Sequence, residues 1–107
     1  MREEDILMSM EIIAGAGEAR SIAVLAVEEA KKGNIEEARK MIGQAKEAMD
    51  GAHNAQTKLI TQEMNGDPIA INVLLIHSQD HLMTTIAYHQ SAESLIDLWE
   101  VVHKLNK

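Results

Sequence analysis

Between Ile35 and Leu59 the chain repeats one spacing without a break: Ile35, Ala38, Ile42, Ala45, Met49, Ala52, Gln56, Leu59. Alternating steps of three and four residues put every member on one stripe of an α-helix, whereas a strand, with its period of two, would scatter them over both faces. Three of its eight members are alanine, spaced seven apart, so whatever covers them must come close. One member, Gln56, is polar. The flanks are punctuated. Lys31-Lys32-Gly33 joins cations that suit a helix C-terminus to a glycine that can take the left-handed cap. Asn34, with Glu37 three residues on, has the form of a capping box opening the next helix. Asn65-Gly66-Asp67-Pro68 is a turn signal and holds the only proline. These marks predict an all-α fold in one domain over residues 1–107. It is an up-down-up three-helix bundle with helices at about 4–32, 35–64 and 69–105.

Composition narrows the function. Of 107 residues 46% are hydrophobic, yet only Tyr88 and Trp99 are aromatic, which leaves a core of Leu, Ile, Val, Ala and Met. A net charge of −7 argues against nucleic-acid binding, which draws on a basic face to displace counterions. With no cysteine, disulfides, zinc-thiolate sites and thiol nucleophiles are excluded. Met1-Arg2-Glu3-Glu4-Asp5 lacks the basic opening of a signal peptide, and no long uncharged run follows. A cytoplasmic protein is expected. Gly15-Ala16-Gly17 is a weak phosphate-loop candidate: no strand precedes it and no Gly-Lys-Ser/Thr follows, so no nucleotide cofactor is expected. Its small side chains suit close helix approach instead.

The third helix departs from the pattern. One stripe reads Leu74, His77, His81, Thr84, Tyr88, Ser91, Leu95, Leu98, Val102, and its neighbour reads Val73, Ile76, Asp80, Met83, Ala87. Polar residues interrupt both. Apolar residues also occur on more than one side, with Val73 to Ile76 in succession, and a helix of that kind in a small bundle calls for a second contact surface. Self-association would supply one.

A histidine on an apolar face is in most proteins a hydrogen-bonded core residue, and His53, His89 and His103 are read that way. Asp80 is harder to place, because an unpaired carboxylate buried on such a stripe costs several kcal/mol unless charge or metal compensates. His77-Ser78-Gln79-Asp80-His81 imitates the inverted zinc motif, in which two histidines bind metal beside a general-base carboxylate. Here the acid is shorter and no third ligand is offered. Di-iron bundles need two Glu-x-x-His clusters, and this chain has nothing comparable to a second one. Phosphoryl carriage on a histidine requires no cofactor: a neutral imidazole is nucleophilic near neutral pH, and nearby donors can steady the oxygens in transfer. Gln79, His81, Gln56 and His53 are candidates for that support. A non-catalytic, metal-binding helical oligomer is the alternative.

The segment "HSQDHLMT", preceded by "VLLI", closely resembles the "VHAQDHLMT" signature of enzyme IIA components of the bacterial sugar phosphotransferase system, of the lactose/N,N′-diacetylchitobiose (cellobiose) class. "AHNAQTKLI" and "GEARSIAVLAVEEAKKGNIEEARKMI" are similar to further family segments, so the likeness covers nearly the whole chain. The resemblance implies a homotrimer of three-helix subunits. Each accepts a phosphoryl group from the phosphocarrier HPr and passes it to the cysteine of a IIB component, which serves a membrane IIC component. It implies His77 as the phosphorylated residue, through Nε2, with His81 and Gln79 in flanking catalytic positions. Asp80 would meet its symmetry mates around a divalent cation, Mg2+, at the trimer axis. No direct sugar binding is implied, and lactose, cellobiose and diacetylchitobiose stay open as cargo. Ser78 and Ile76 depart from the Ala and Val common in the family, and the end of helix three matches less closely.

Overall fold

The computed structural model describes residues 2–107 as three long helices, α1 (Glu3–Lys31), α2 (Ile35–Met64) and α3 (Val73–Leu105). They pack side by side, up, down and up, in a rod of 59 × 19 × 19 Å. Among the described residues there is no strand. Among the described residues, no helix is long and apolar enough to cross a membrane.

Both turns are built by glycine in the left-handed region, as the sequence requires. Gly33 has φ +94° and Gly66 φ +84°. After α1, the Gly33 amide donates to the Ala30 carbonyl and the Asn34 amide to that of Glu29; after α2, Gly66 and Asp67 repeat the pattern onto Glu63 and Gln62. These are paired Schellman closures, which satisfy the last carbonyls of each helix.

One expected cap and one expected boundary need correction. Asn34 does not cap α2 through its side chain; its Nδ2 donates instead to Glu29 Oε2 at 2.7 Å, tying the turn back onto α1. Asn34 also holds the Glu29 carboxyl below its usual range, helped by Lys32. The Glu29 carboxylate holds the side chain, and at φ −86° and ψ 64° the Asn34 backbone is not in the extended conformation from which a cap oxygen accepts the first free amides. The third helix begins at Val73, not at about residue 69. Residues 67–72 form no regular element, and Asn72, at φ −152° and ψ 174°, accepts from the Leu75 amide at 2.8 Å. An asparagine N-cap inside an apolar run set the start.

The α2 stripe is buried as the spacing predicts: Ala38, Ile42, Ala45, Ala52, Gln56 and Leu59 are all covered, with Ile35 and Met49 half-buried. Gly15 of α1 sits where a Cβ would come within 3.1 Å of Ala52 Cβ and 3.2 Å of the Ala48 carbonyl. The two backbones thus approach as closely as their alanines and this glycine permit. On α3 the expectation fails. Neither stripe read from the sequence faces the core; the buried one is Ser78, Leu82, Thr85, His89, Ala92 and Ile96. Its polar members are satisfied locally. Ser78 Oγ donates to the Leu75 carbonyl, Thr85 Oγ1 to that of Ala16, and His89 Nε2 lies 3.1 Å from the Ile42 carbonyl. Three polar residues disguise the core face, and the more apolar stripe, on the opposite side of α3, is left outside.

Candidate functional site

That outside stripe carries the site. Val73, Ile76, Met83, Leu98, Val101 and Leu105 are all more than half exposed, and Asp80 lies exposed among the first three. His77 is exposed and His81 half-buried, one turn apart on α3. Their rings stack with centroids 5.6 Å apart and planes 10° from parallel. His81 leans toward α1, where a Cβ on Gly17 would stand 3.4 Å from its Nε2. The small residues of α1 thus serve the site as well as the core.

Arg20, one turn beyond Gly17, reaches across from α1. Its Nη2 donates to Thr84 Oγ1 and lies 3.5 Å from the His81 carbonyl. With Val24, Asp80, Thr84 and Tyr88 it lines an open cleft between α1 and α3. Burial pushes the His81 imidazole below its usual range, and the nearby charges of Arg20 and His77 push the same way against Asp80. His81 is therefore biased toward the neutral form. Arg20 escaped the sequence reading, although it is the one basic residue in the interior of α1. Only the approach of α1 to α3 gives it a place.

Gln79 stands apart from the histidines. Residues two apart on a helix point about 200° from each other. Gln79 accordingly faces α2, where its Oε1 accepts from Gln56 Nε2 at 2.7 Å. Gln56 is engaged there, with Met83 Sδ as a further partner at 3.7 Å, and His53 is exposed on α2. Around α3 the order is His81, His77, Asp80, Met83, Gln79. Asp80 is central, with the histidines on one flank and Gln79 on the other.

His89 and His103 have ordinary structural partners. His89 Nδ1 pairs with Glu93 at 3.2 Å. His103 Nε2 donates to the Ala30 and Lys31 carbonyls at the end of α1 while its ring stacks on Trp99.

Residues 7–100 match the family described as "PTS system, Lactose/Cellobiose specific IIA subunit". The chain belongs to this family. It is 40% identical over 99 residues to the lactose-specific EIIA component of Staphylococcus epidermidis, covering 92% of this chain and 95% of that one. The lichenan-specific enzyme IIA component of Bacillus subtilis is 38% identical over 102 residues, covering 95% and 93%. Among solved structures, the cellobiose-specific enzyme IIA from Bacillus anthracis superposes with a TM-score of 0.92 at 39% identity, covering 97% of this chain and 94% of that one. The IIA(chitobiose)–HPr complex of Escherichia coli superposes with a TM-score of 0.81 at 33% identity, covering 96% and 99%. The protein is thus a IIA component of the phosphotransferase system, and the three-helix fold expected from its sequence is the fold of its relatives.

Within one protomer, the described residues offer no group of three His, Asp or Glu side chains that could hold a metal ion. Asp80 contributes a single carboxylate, with no hydrogen bond or ion pair of its own among the described residues. A cation there would fit only where symmetry supplies further carboxylates.

Proposed function

We propose that His77 carries the phosphoryl group between phospho-HPr and a IIB component during uptake of a disaccharide in the cytoplasm. The observation that carries this reading is the exposed His77 ring stacked on His81 within the family's signature segment. An HPr complex of a relative with the same fold supports the donor. In the forward step the Nε2 lone pair of His77 attacks phosphorus, and the bond to the donor breaks with its electron pair leaving on the donor. Transfer to the IIB cysteine repeats this with His77 as leaving group. Neither step needs a nucleotide or bound sugar. His81, biased toward neutrality, keeps a second positive charge away from the attacking ring, and Arg20, held at Thr84 and the His81 carbonyl, provides a fixed cation on the far side of His81.

The exposed stripe of α3 supports assembly as a homotrimer. Three parallel copies of α3 would bury Val73, Ile76, Met83, Leu98 and Val101 and gather three Asp80 carboxylates on the axis. Asp80 and its mates would hold a divalent cation, Mg2+, whose charge offsets their repulsion. A threefold interface sets one flank of each α3 against the opposite flank of the next. The His77 side of one copy then meets the Gln79 side of its neighbour.

The test is to mix the protein with phosphoenolpyruvate, enzyme I and HPr and to measure its mass. A gain of one acid-labile phosphoryl group, mapped to His77, is expected. A phosphoryl group on another histidine, or none, overturns the reading.

A further inference from the structure

The carboxamides of Gln56 and Gln79 meet between α2 and α3, and a third residue sets which way round they sit. Ser78 is fully buried, and its Oγ donates to the Leu75 carbonyl at 2.7 Å, which commits its only hydrogen. Toward Gln79 this oxygen can only accept, and Gln79 Nε2 lies 3.2 Å from it. Gln79 Oε1 is thereby turned to Gln56, whose Nε2 donates to it at 2.7 Å. The chain of bonds runs in one direction, from Gln56 through Gln79 and Ser78 to the Leu75 carbonyl. Without the hydroxyl, the two amides could turn over together and keep the bond between them. Ser78 sets the direction at Gln79, and at the other end Met83 Sδ, 3.7 Å from Gln56 Nε2, favours the same sense as a weak acceptor. In that direction Gln79 retains one N–H beyond these bonds, on a residue that also lines an apolar groove with Leu59, Ile60, Ile69 and Leu75.

We propose that Ser78 is a positioning residue of the phosphoryl site. It holds the Gln79 carboxamide with one N–H available to an oxygen of the phosphoryl group carried by His77 of the adjoining copy. This rests on the trimer proposed above, since Gln79 and His77 of a single copy point away from each other. A planar donor fixed in advance meets the phosphoryl oxygens with less reorganisation than a freely turning amide.

The experiment measures the equilibrium between phospho-HPr and the phosphorylated protein for wild type, Ser78→Ala, Gln79→Ala and the double variant, each checked by sedimentation. Both single variants are expected to stay trimeric and to shift the equilibrium toward phospho-HPr, by roughly ten- to a hundredfold for Gln79→Ala, the scale of one hydrogen bond to a charged group, and by less for Ser78→Ala, which only frees the amide to turn. The double variant should lose no more than Gln79→Ala alone, because Ser78 acts only through Gln79. The side-chain amide resonances of Gln79 should form one set in wild type and average between orientations in Ser78→Ala. Co-assembly of Gln79→Ala with an excess of His77→Ala chains should restore the equilibrium, since in a trimer with one Gln79→Ala chain the one remaining His77 faces an intact Gln79. An unchanged equilibrium in trimeric Ser78→Ala, multiplicative losses, or no restoration in proven mixed trimers overturns the proposal and leaves the phosphocarrier reading standing. A monomeric wild type that still accepts phosphate overturns the trimer and this donor together.

Discussion

His77 and His81 stand one turn apart on α3 with their rings nearly parallel and 5.6 Å between centroids. Stacking lets one ring bear on the other's charge without a hydrogen bond between them. The exposed ring is the one a partner can reach, and the half-buried one is shielded by α1. This difference supports the proposed roles, His77 as the residue that reacts and His81 as the one that sets its surroundings.

His77→Ala should abolish phosphoryl uptake and leave the helical fold intact, because the nucleophile is removed while alanine keeps helix propensity. His53→Ala should retain uptake. So should His89→Gln and His103→Gln, which lose structural bonds and stability only. Mass spectrometry of each variant after exposure to phospho-HPr, beside its helical circular dichroism, checks this. A phosphorylated His77→Ala protein would reassign the site.

His81 should titrate below the ordinary histidine value of ~6.5. Its imidazole is lowered first by burial and then by Arg20 and His77. Arg20→Gln should raise the midpoint toward the ordinary value, read from the ring-proton shift of His81 against pH. The sign for stability follows from proton linkage. The unfolded chain binds this proton more readily than the folded one, so His81 lowers stability as pH falls from ~6.5 toward its folded value, and has no effect above that window. A midpoint unmoved by Arg20→Gln would show that burial alone sets it.

The tight α1–α2 approach gives two substitutions opposite signs. Gly15→Ala places a methyl 3.1 Å from Ala52 Cβ and 3.2 Å from the Ala48 carbonyl, so the helices must part. A loss of ~1–3 kcal/mol is expected by chemical denaturation, as for other overpacked cores. Gly51, in the middle of α2, has nothing within 4 Å of an added Cβ. Gly51→Ala should stabilise by ~0.5–1 kcal/mol through helix propensity. Equal effects at both positions would contradict the close contact.

How far the sequence could be read depended on what each stripe is made of. The α2 stripe is aliphatic and small, so its spacing alone gave the buried face. The α3 core face is polar at Ser78, Thr85 and His89, and each of these bonds a carbonyl that belongs either to its own helix or to a neighbour. Nothing in the sequence says that those carbonyls will be within reach. The Asn72 cap was similarly hidden in an apolar run. His77, Asp80 and His81 stood out as polar residues where leucine would serve. Arg20 did not, since its role arises only where α1 crosses the site.

Asp80→Leu tests assembly. In the protomer the Asp80 side chain is exposed among Val73, Ile76 and Met83, with no partner for its carboxylate among the described residues. On a threefold axis the same carboxylate meets two others, and repulsion must be offset by a cation or by protons. Chelation should therefore weaken the wild-type trimer. Leucine removes the charge and the need for a cation together, and extends an aliphatic stripe. Buried ionic groups replaced by well-packed apolar ones are often neutral or stabilising by ~1–4 kcal/mol. Asp80→Leu should hence remain a trimer in chelator, melt no lower than wild type, and still accept phosphate at His77. Sedimentation of both proteins with and without chelator decides it. A wild type indifferent to chelator would remove the cation from the axis. A monomeric Asp80→Leu would show that the carboxylates, and not the apolar stripe, hold the copies together.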